Sequence, residues 1–315
     1  MLDKNPPVAG LQSLSARYDV ILSDIWGVVH NGKAAFVAAC DALTRFRAGG
    51  GTVVLITNAP RPHPPVLEQL GQLKVPRTAF DAIVTSGDVT LDLIAAHGDA
   101  PAFHIGPERD LALFDALAHM PGKVKPPLVP LAQAAYVVVT GLFDDLAETP
   151  ADYDGRLAQM RARALPMICA NPDIVVHVGD HLLYCGGALA ERYSAQGGVS
   201  TCAGKPFAPI YERALALAAQ QRGKVTAKAR VLAIGDAFAT DIAGAAAQGI
   251  DALMITAGIH RDELHGADGA MDPAALARLA TAAQVALPRW HMPKLEWHNA
   301  AMPGGAALRP GWFSD

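Results

Sequence analysis

The chain has 315 residues, 51% hydrophobic and 18% charged, which is the make-up of a folded globular protein and excludes a disordered one. A net charge of −4 argues against a dedicated nucleic-acid surface. Pro, Gly, Asp or Arg breaks every apolar run before it reaches membrane-spanning length, so no membrane partner is expected. The N-terminus has no basic region followed by an apolar segment, and Cys40, Cys169, Cys185 and Cys202 show neither CxxC nor zinc spacing. A cytoplasmic protein with reduced thiols is the expectation.

Val20–Ser23 reads as a short strand followed at once by Asp24, in Asp24-Ile25-Trp26-Gly27-Val28. In an open α/β sheet ligands bind beyond the carboxyl ends of the strands, so Asp24 stands at a reactive edge, suited to act as nucleophile or metal ligand. Asn31-Gly32 reads as a tight turn, and residues 34–48 carry helical periodicity that Gly49-Gly50-Gly51 stops. Those glycines precede a strand, so they are no phosphate loop. Val53–Ile56 is a second strand, ending in Thr57-Asn58. A proline-rich piece at 60–65, a helix near Val66–Leu73 and a third strand, Ala82–Val84, follow. Strands interleaved with helices imply parallel pairing with right-handed crossovers.

In the middle, Phe103–Gly106 and Tyr136–Thr140 read as strands, Tyr153–Ala164 and Gly187–Gln196 as helices, and Lys123–Pro127 as a linker or turn. Alternation returns after Gly204, with helix Pro209–Gln221, strand Val231–Ile234, helix Ile242–Gln248 and strand Ala252–Thr256. The expected organisation is an α/β core in two segments, 1–90 and 200–284, with a second α/β unit, 91–199, inserted between them. Residues 285–315, which hold three of the four tryptophans, are expected to pack on the core.

Three core strands thus end in carboxylate, hydroxyl or amide residues: Asp24, Thr57 with Asn58, and Asp236, with Asp241 five residues on. Lys205-Pro206 adds a cation before a helix. Together they make a phosphoryl-transfer set. Carboxylates hold Mg2+, while hydroxyl, amide and ammonium groups neutralise the phosphoryl oxygens.

The ordered series Asp24-Ile25-Trp26-Gly27-Val28, Thr57-Asn58, Gly204-Lys205-Pro206 and Gly235-Asp236…Thr240-Asp241-Ile242 resembles the haloacid dehalogenase (HAD) superfamily. Within it the chain looks like the class IIA, NagD-like hydrolases, with Asn171-Pro172-Asp173 and Cys185-Gly186-Gly187-Ala188-Leu189 similar to that class's cap sequences. The match covers roughly residues 15–260, and four motifs in order are far more specific than any one. The resemblance implies a Rossmann-like parallel-sheet core with an inserted α/β, C2-type cap, and cap-to-cap homodimers as a common assembly. It implies a Mg2+-dependent phosphatase of a small phosphorylated metabolite, a sugar phosphate or nucleotide-like. Asp24 would form an aspartyl phosphate. Thr57 would hold phosphoryl oxygens, and Lys205 would stabilise the charge on Asp24. Asn58, Asn171 and Asp173 would place substrate. The metal would be held by Asp24, Asp236, Asp241 and the backbone carbonyl of Trp26.

Position 26 departs from the family. An Asp there protonates the leaving alkoxide and then activates water, help worth roughly 10²–10⁴-fold in rate. An indole cannot transfer that proton, so poor alkoxide leaving groups should suffer most, and acyl, aryl or anhydride phosphates least. Trp26 therefore keeps two other functions in view: a ligand-binding or regulatory protein, and a HAD transfer reaction other than phosphate hydrolysis. His30 is read either as a replacement acid or as a satisfied loop histidine. The cluster His177…Asp180-His181 fits no standard zinc spacing. Arg61 is read as solvated surface or as a clamp on a substrate anion.

Overall fold

The structure is a computed structural model that describes residues 6–178, 181–266 and 268–298, with side chains at 176–182 outside the description. The side chains of the His177…Asp180-His181 cluster therefore lie outside the description. Among the described residues, twelve strands occur in chain order: β1 Val20–Asp24, β2 Thr52–Thr57, β3 Ala82–Thr85, β4 Ala102–Ile105, β5 Tyr136–Val139, β6 Met167–Cys169, β7 Val175–Val178, β8 His181–Tyr184, β9 Ser200–Cys202, β10 Val231–Gly235, β11 Asp251–Ile255 and β12 Trp290–Met292. They form a six-stranded sheet of order β12-β11-β10-β1-β2-β3, a four-stranded sheet of order β4-β5-β6-β9, and the β7–β8 hairpin. The fold is α/β, a Rossmann-like parallel sheet with a separate smaller parallel sheet, as the resemblance implied.

The chain forms two compact units, residues 1–55, 71–82 and 218–315, and residues 56–70 and 83–217. In the first, every residue of β1 and β10 is buried. Such unbroken apolar runs mark strands covered on both faces. β1 pairs parallel with β10, β10 with β11, and β11 with β12. Trp290–Met292, from the segment expected to pack on the core, is thus an edge strand of the sheet. It is tied down at several points. The Trp290 indole N–H donates to the Tyr18 hydroxyl (2.9 Å), which donates to Asp251 Oδ2 (2.6 Å). The Val8 N–H donates to the His291 carbonyl (3.0 Å).

In the second unit the two-residue period of β5 sorts its side chains between two cores. Val137 and Val139 face Leu157, Met160, Leu189 and Tyr193 of the helices Asp154–Ala162 and Gly186–Ala195. Tyr136 and Val138 face Leu91, Ile94, Leu113 and Leu117 of the helices Ser86–Ala95 and Ala112–Ala118. Each fully buried aliphatic side chain contributes roughly 1.5–3 kcal/mol.

Local chemistry explains where element boundaries differ from the sequence reading. The first long helix spans Val37–Ala48 and starts three residues late. Asn31 Oδ1 captures the Lys33 and Ala34 N–H groups, and the Phe36 N–H bonds the Val29 carbonyl. The next, His63–Gln72, starts three residues early because Pro64 and Pro65 sit in its first turn, where a missing N–H costs nothing. The helix Ser86–Ala95, absent from the sequence reading, begins with a capping box in which Thr85 and Asp88 exchange side-chain and backbone bonds.

Candidate active site

Asp24 is the last residue of β1, and Asp236 directly follows β10. Their strands run parallel with Ser23 opposite Ile234, so both carboxylates emerge from the same edge of the sheet. Asp241 lies in a single π-helical turn, Phe238–Ile242, that leads into the helix Ala243–Gln248. Such turns bulge the backbone and re-aim a side chain. Here the Asp241 Oδ2 turns back to accept the Ala237 N–H (3.2 Å). All three aspartates are buried, and one carboxylate oxygen of each lies within 4.8 Å of the others.

Two ionised carboxylates no more than 4.8 Å apart repel by at least about 3.5 kcal/mol at an effective dielectric constant of about 20. A divalent cation among them turns that repulsion into attraction. An all-oxygen donor set is what a hard cation prefers. The backbone is shaped to the same end. A Cβ on Gly27, whose φ is +79°, would stand 2.0 Å from Asp236 Oδ2, and one on Gly258 would stand 2.2 Å from it. Asp236 Oδ2 also accepts the Ile259 N–H (2.8 Å). The cluster fits a divalent-metal site.

The loop after Asp24 is tightly wound. The Val29 and His30 N–H groups donate to the Ile25 carbonyl (2.8 and 3.2 Å), and the Gly27 N–H to the His30 carbonyl (2.9 Å). Ile25, Val28 and Val29 are buried, while the Trp26 side chain is left 58% exposed. His30 is buried beside it, its ring edge-on to the indole at 5.4 Å and 79°. Its Nδ1 accepts the Gly32 N–H (3.0 Å), and burial pushes the imidazole below its ordinary pKa. A buried ring whose Nδ1 already accepts a backbone N–H fits the reading of a satisfied loop histidine better than that of a replacement acid.

The second unit carries the remaining predicted residues. Thr57 closes β2, its hydroxyl accepting the Ala59 N–H (3.3 Å). Asn58 is a buried connector. Its Nδ2 donates to Asp173 Oδ1 (2.8 Å) and the Lys205 carbonyl (3.1 Å), and its Oδ1 accepts the Lys205 N–H (2.7 Å). Asn171 Oδ1 accepts the Asp173 N–H (3.1 Å). Asn58, Asn171, Asp173 and buried Lys205 thus form one polar group, although 147 residues separate Asn58 from Lys205. Arg61 lies at the surface, bonded to Gln69 Oε1 (3.0 Å).

A model described as haloacid dehalogenase-like hydrolase matches residues 21–118, and a second, HAD-hydrolase-like model matches residues 202–282. A crystal structure of a haloacid dehalogenase-like hydrolase from Brucella suis 1330 is 46% identical. The match covers 92% of this chain and 99% of that one, with a TM-score of 0.74. The chain belongs to the haloacid dehalogenase-like family. The chain is also 25% identical over 248 residues to the 5'-nucleotidase YutF of Bacillus subtilis (strain 168), covering 78% of this chain and 90% of that protein. The 4-nitrophenylphosphatase structure from Thermotoga maritima shares the fold at 18% identity, with 90% and 97% coverage and a TM-score of 0.65.

The chain is a HAD-type hydrolase with the class IIA, NagD-like architecture. Two polar arrangements, one at the acidic cluster and one in the second unit, escaped the sequence reading. Gly258 and the Ile259 N–H hold Asp236 in place; the one signal was a glycine soon after the β11 strand. Asp88, buried and accepting both the His63 N–H (3.1 Å) and a bond from His63 Nδ1 (2.9 Å), was legible only as the fourth residue of Thr85-Ser86-Gly87-Asp88. Among the described residues, no helix is long and apolar enough to cross a membrane. All four cysteines are buried and free.

Proposed function

We propose that this HAD-type hydrolase is a Mg2+-dependent phosphatase of a small phosphorylated metabolite, a sugar phosphate or a nucleotide-like compound, working through an aspartyl phosphate on Asp24. The observation that carries the reading is the buried carboxylate cluster Asp24, Asp236 and Asp241. The names of the nucleotidase and nitrophenylphosphatase relatives support the substrate class.

One Asp24 oxygen attacks phosphorus, and the bond from phosphorus to the leaving oxygen breaks with its electron pair on that oxygen. Water then attacks the aspartyl phosphate, releasing inorganic phosphate and restoring the carboxylate. The Thr57 hydroxyl and the Lys205 ammonium group stabilise charge on the phosphoryl oxygens and on Asp24. Asp24, Asp236, Asp241 and the Trp26 carbonyl would hold Mg2+, which would supply Lewis-acid neutralisation of that charge. Residues 91–199 are assigned as the cap that supplies specificity, with Asn171 and Asp173 touching substrate. Asn58, both of whose amide atoms are engaged, sets the Lys205 backbone and the Asp173 carboxylate.

Lacking a carboxyl group at position 26, the enzyme forgoes a proton transfer worth about 3–5 kcal/mol of barrier. That substitution favours a second reading, a HAD-like protein that binds a phosphorylated ligand without turning it over. Phosphate release from an aryl phosphate separates the two. Slow, Mg2+-dependent turnover that Asp24→Asn abolishes supports the phosphatase. Saturable binding with no turnover in the wild type supports the binder.

A further inference from the structure

A large, uncovered aromatic surface two residues from a nucleophile needs a reason. Consecutive residues span at most about 3.6 Å each, so the Trp26 Cα lies within about 7 Å of that of Asp24. The next residue, Gly27, is pressed against the Asp236 carboxylate so closely that a Cβ would stand 2.0 Å from its oxygen. The indole therefore springs from the wall of the acidic cluster. It is also held in place. A Cβ on Gly32, whose φ is +81°, would stand 2.3 Å from the indole Cη2, so the ring lies against bare backbone. The buried His30 ring braces it edge-on. Even so, the side chain remains 58% exposed. Fixing an aromatic ring while leaving it open to solvent is how proteins build stacking platforms.

We infer that Trp26 is the specificity-determining platform for a planar, aromatic leaving group, and that the substrates of this site are aryl phosphates. This inference rests on the phosphatase reading above and narrows its small phosphorylated metabolite to an aryl ester, in place of a sugar phosphate or nucleotide-like compound, whose leaving oxygens are alkoxides. Leaving-group chemistry points the same way. With no carboxyl group at position 26, the departing oxygen must leave as an anion. A phenolic oxygen gives up its proton near about 10, whereas water holds its own to about 15.7. In the first step the Asp24 oxygen bonds to phosphorus as the phosphorus–aryl oxygen bond breaks. The electron pair departs on the aryloxide, which takes its proton from solvent after release. Stacking on the indole positions the ring without donating a proton, so one residue answers both for the missing acid and for the shape of the substrate. Base–aromatic stacking of this kind changes affinity by about 5- to 150-fold.

The test compares 4-nitrophenyl phosphate with acetyl phosphate, a small acyl phosphate with a good leaving group and no ring, in the purified full chain with Mg2+. The readout is the ratio of kcat/KM for the two. Trp26→Ala is expected to lower the aryl-to-acetyl ratio about tenfold or more, mainly through KM for the aryl substrate, and Trp26→Phe to restore most of it. Gly32→Ala, which keeps the indole but crowds its seat, is expected to lower the ratio as well. An aryl-to-acetyl ratio unchanged in Trp26→Ala and Gly32→Ala, with both substrates still turned over, overturns the platform and leaves the phosphatase standing. Failure of the wild type on both substrates overturns the phosphatase reading itself.

Discussion

At the residue scale, the chemistry of this site turns on what stands two positions after Asp24. The structure leaves the Trp26 side chain largely in solvent, so its replacement disturbs little packing. Restoring a carboxyl group there should restore proton donation to poor leaving groups. Trp26→Asp is predicted to raise kcat for an alkyl phosphate by about 10²-fold, the lower end of what general acid–base help contributes, while gaining far less on an aryl phosphate. Steady-state kinetics on the two substrates check it. The strand-end aspartates were legible because an Asp after an apolar run occupies the reactive edge of a parallel sheet. The environment of His30 was not: its partner is a backbone N–H two residues on, and burial is a tertiary property that no local pattern encodes.

At the element scale, strands buried on both faces announced themselves, as in Val20-Ile21-Leu22 and Val231-Leu232-Ala233-Ile234, whereas the three-residue strands β6 and β9 are too short to show a period. Trp290–Met292 is the instructive case. Its tryptophan signalled burial, but its pairing with β11 depends on Tyr18, 272 residues away. Burial first, then the bond to Asp251, pushes the Tyr18 hydroxyl up to about 12, so at neutral pH it stays a donor to that carboxylate. Tyr18→Phe removes the acceptor of the Trp290 N–H and leaves Asp251 Oδ2 with its bond from Arg289 Nη1 (3.1 Å) alone. It is predicted to cost about 1–3 kcal/mol of stability, read by urea unfolding, with faster amide exchange in β12 than elsewhere in its sheet.

His104 in β4 shows how a buried imidazole makes an element sensitive to acid. Its Nε2 bonds Thr140 Oγ1 (2.9 Å), and its ring meets Phe114 edge-on at 5.3 Å. Burial pushes its pKa down, opposed by the charge of Asp110. The folded state therefore favours the neutral ring. The stability this contributes is present above the ordinary histidine value of about 6.5 and is lost as pH falls from there through the lower folded value. The Tm of the wild type is predicted to drop more steeply than that of His104→Gln between about pH 7 and pH 5. Parallel curves would contradict it.

At the scale of the whole molecule, the family was legible from four motifs in order because each serves one transition state and their spacing follows the strands. The connections that make Asn58, Asp173 and Lys205 one polar group were not legible, since they join residues 115 and 147 positions apart. The account as a whole depends on Asp24 accepting phosphorus beside a divalent cation. Beryllofluoride, which mimics a phosphoryl group on a carboxylate, tests that most directly by fluorine NMR of the full chain with and without Mg2+. The account predicts a bound signal in the wild type that needs Mg2+ and is missing from Asp24→Asn; no bound signal in the wild type, or one that persists in Asp24→Asn, would contradict it.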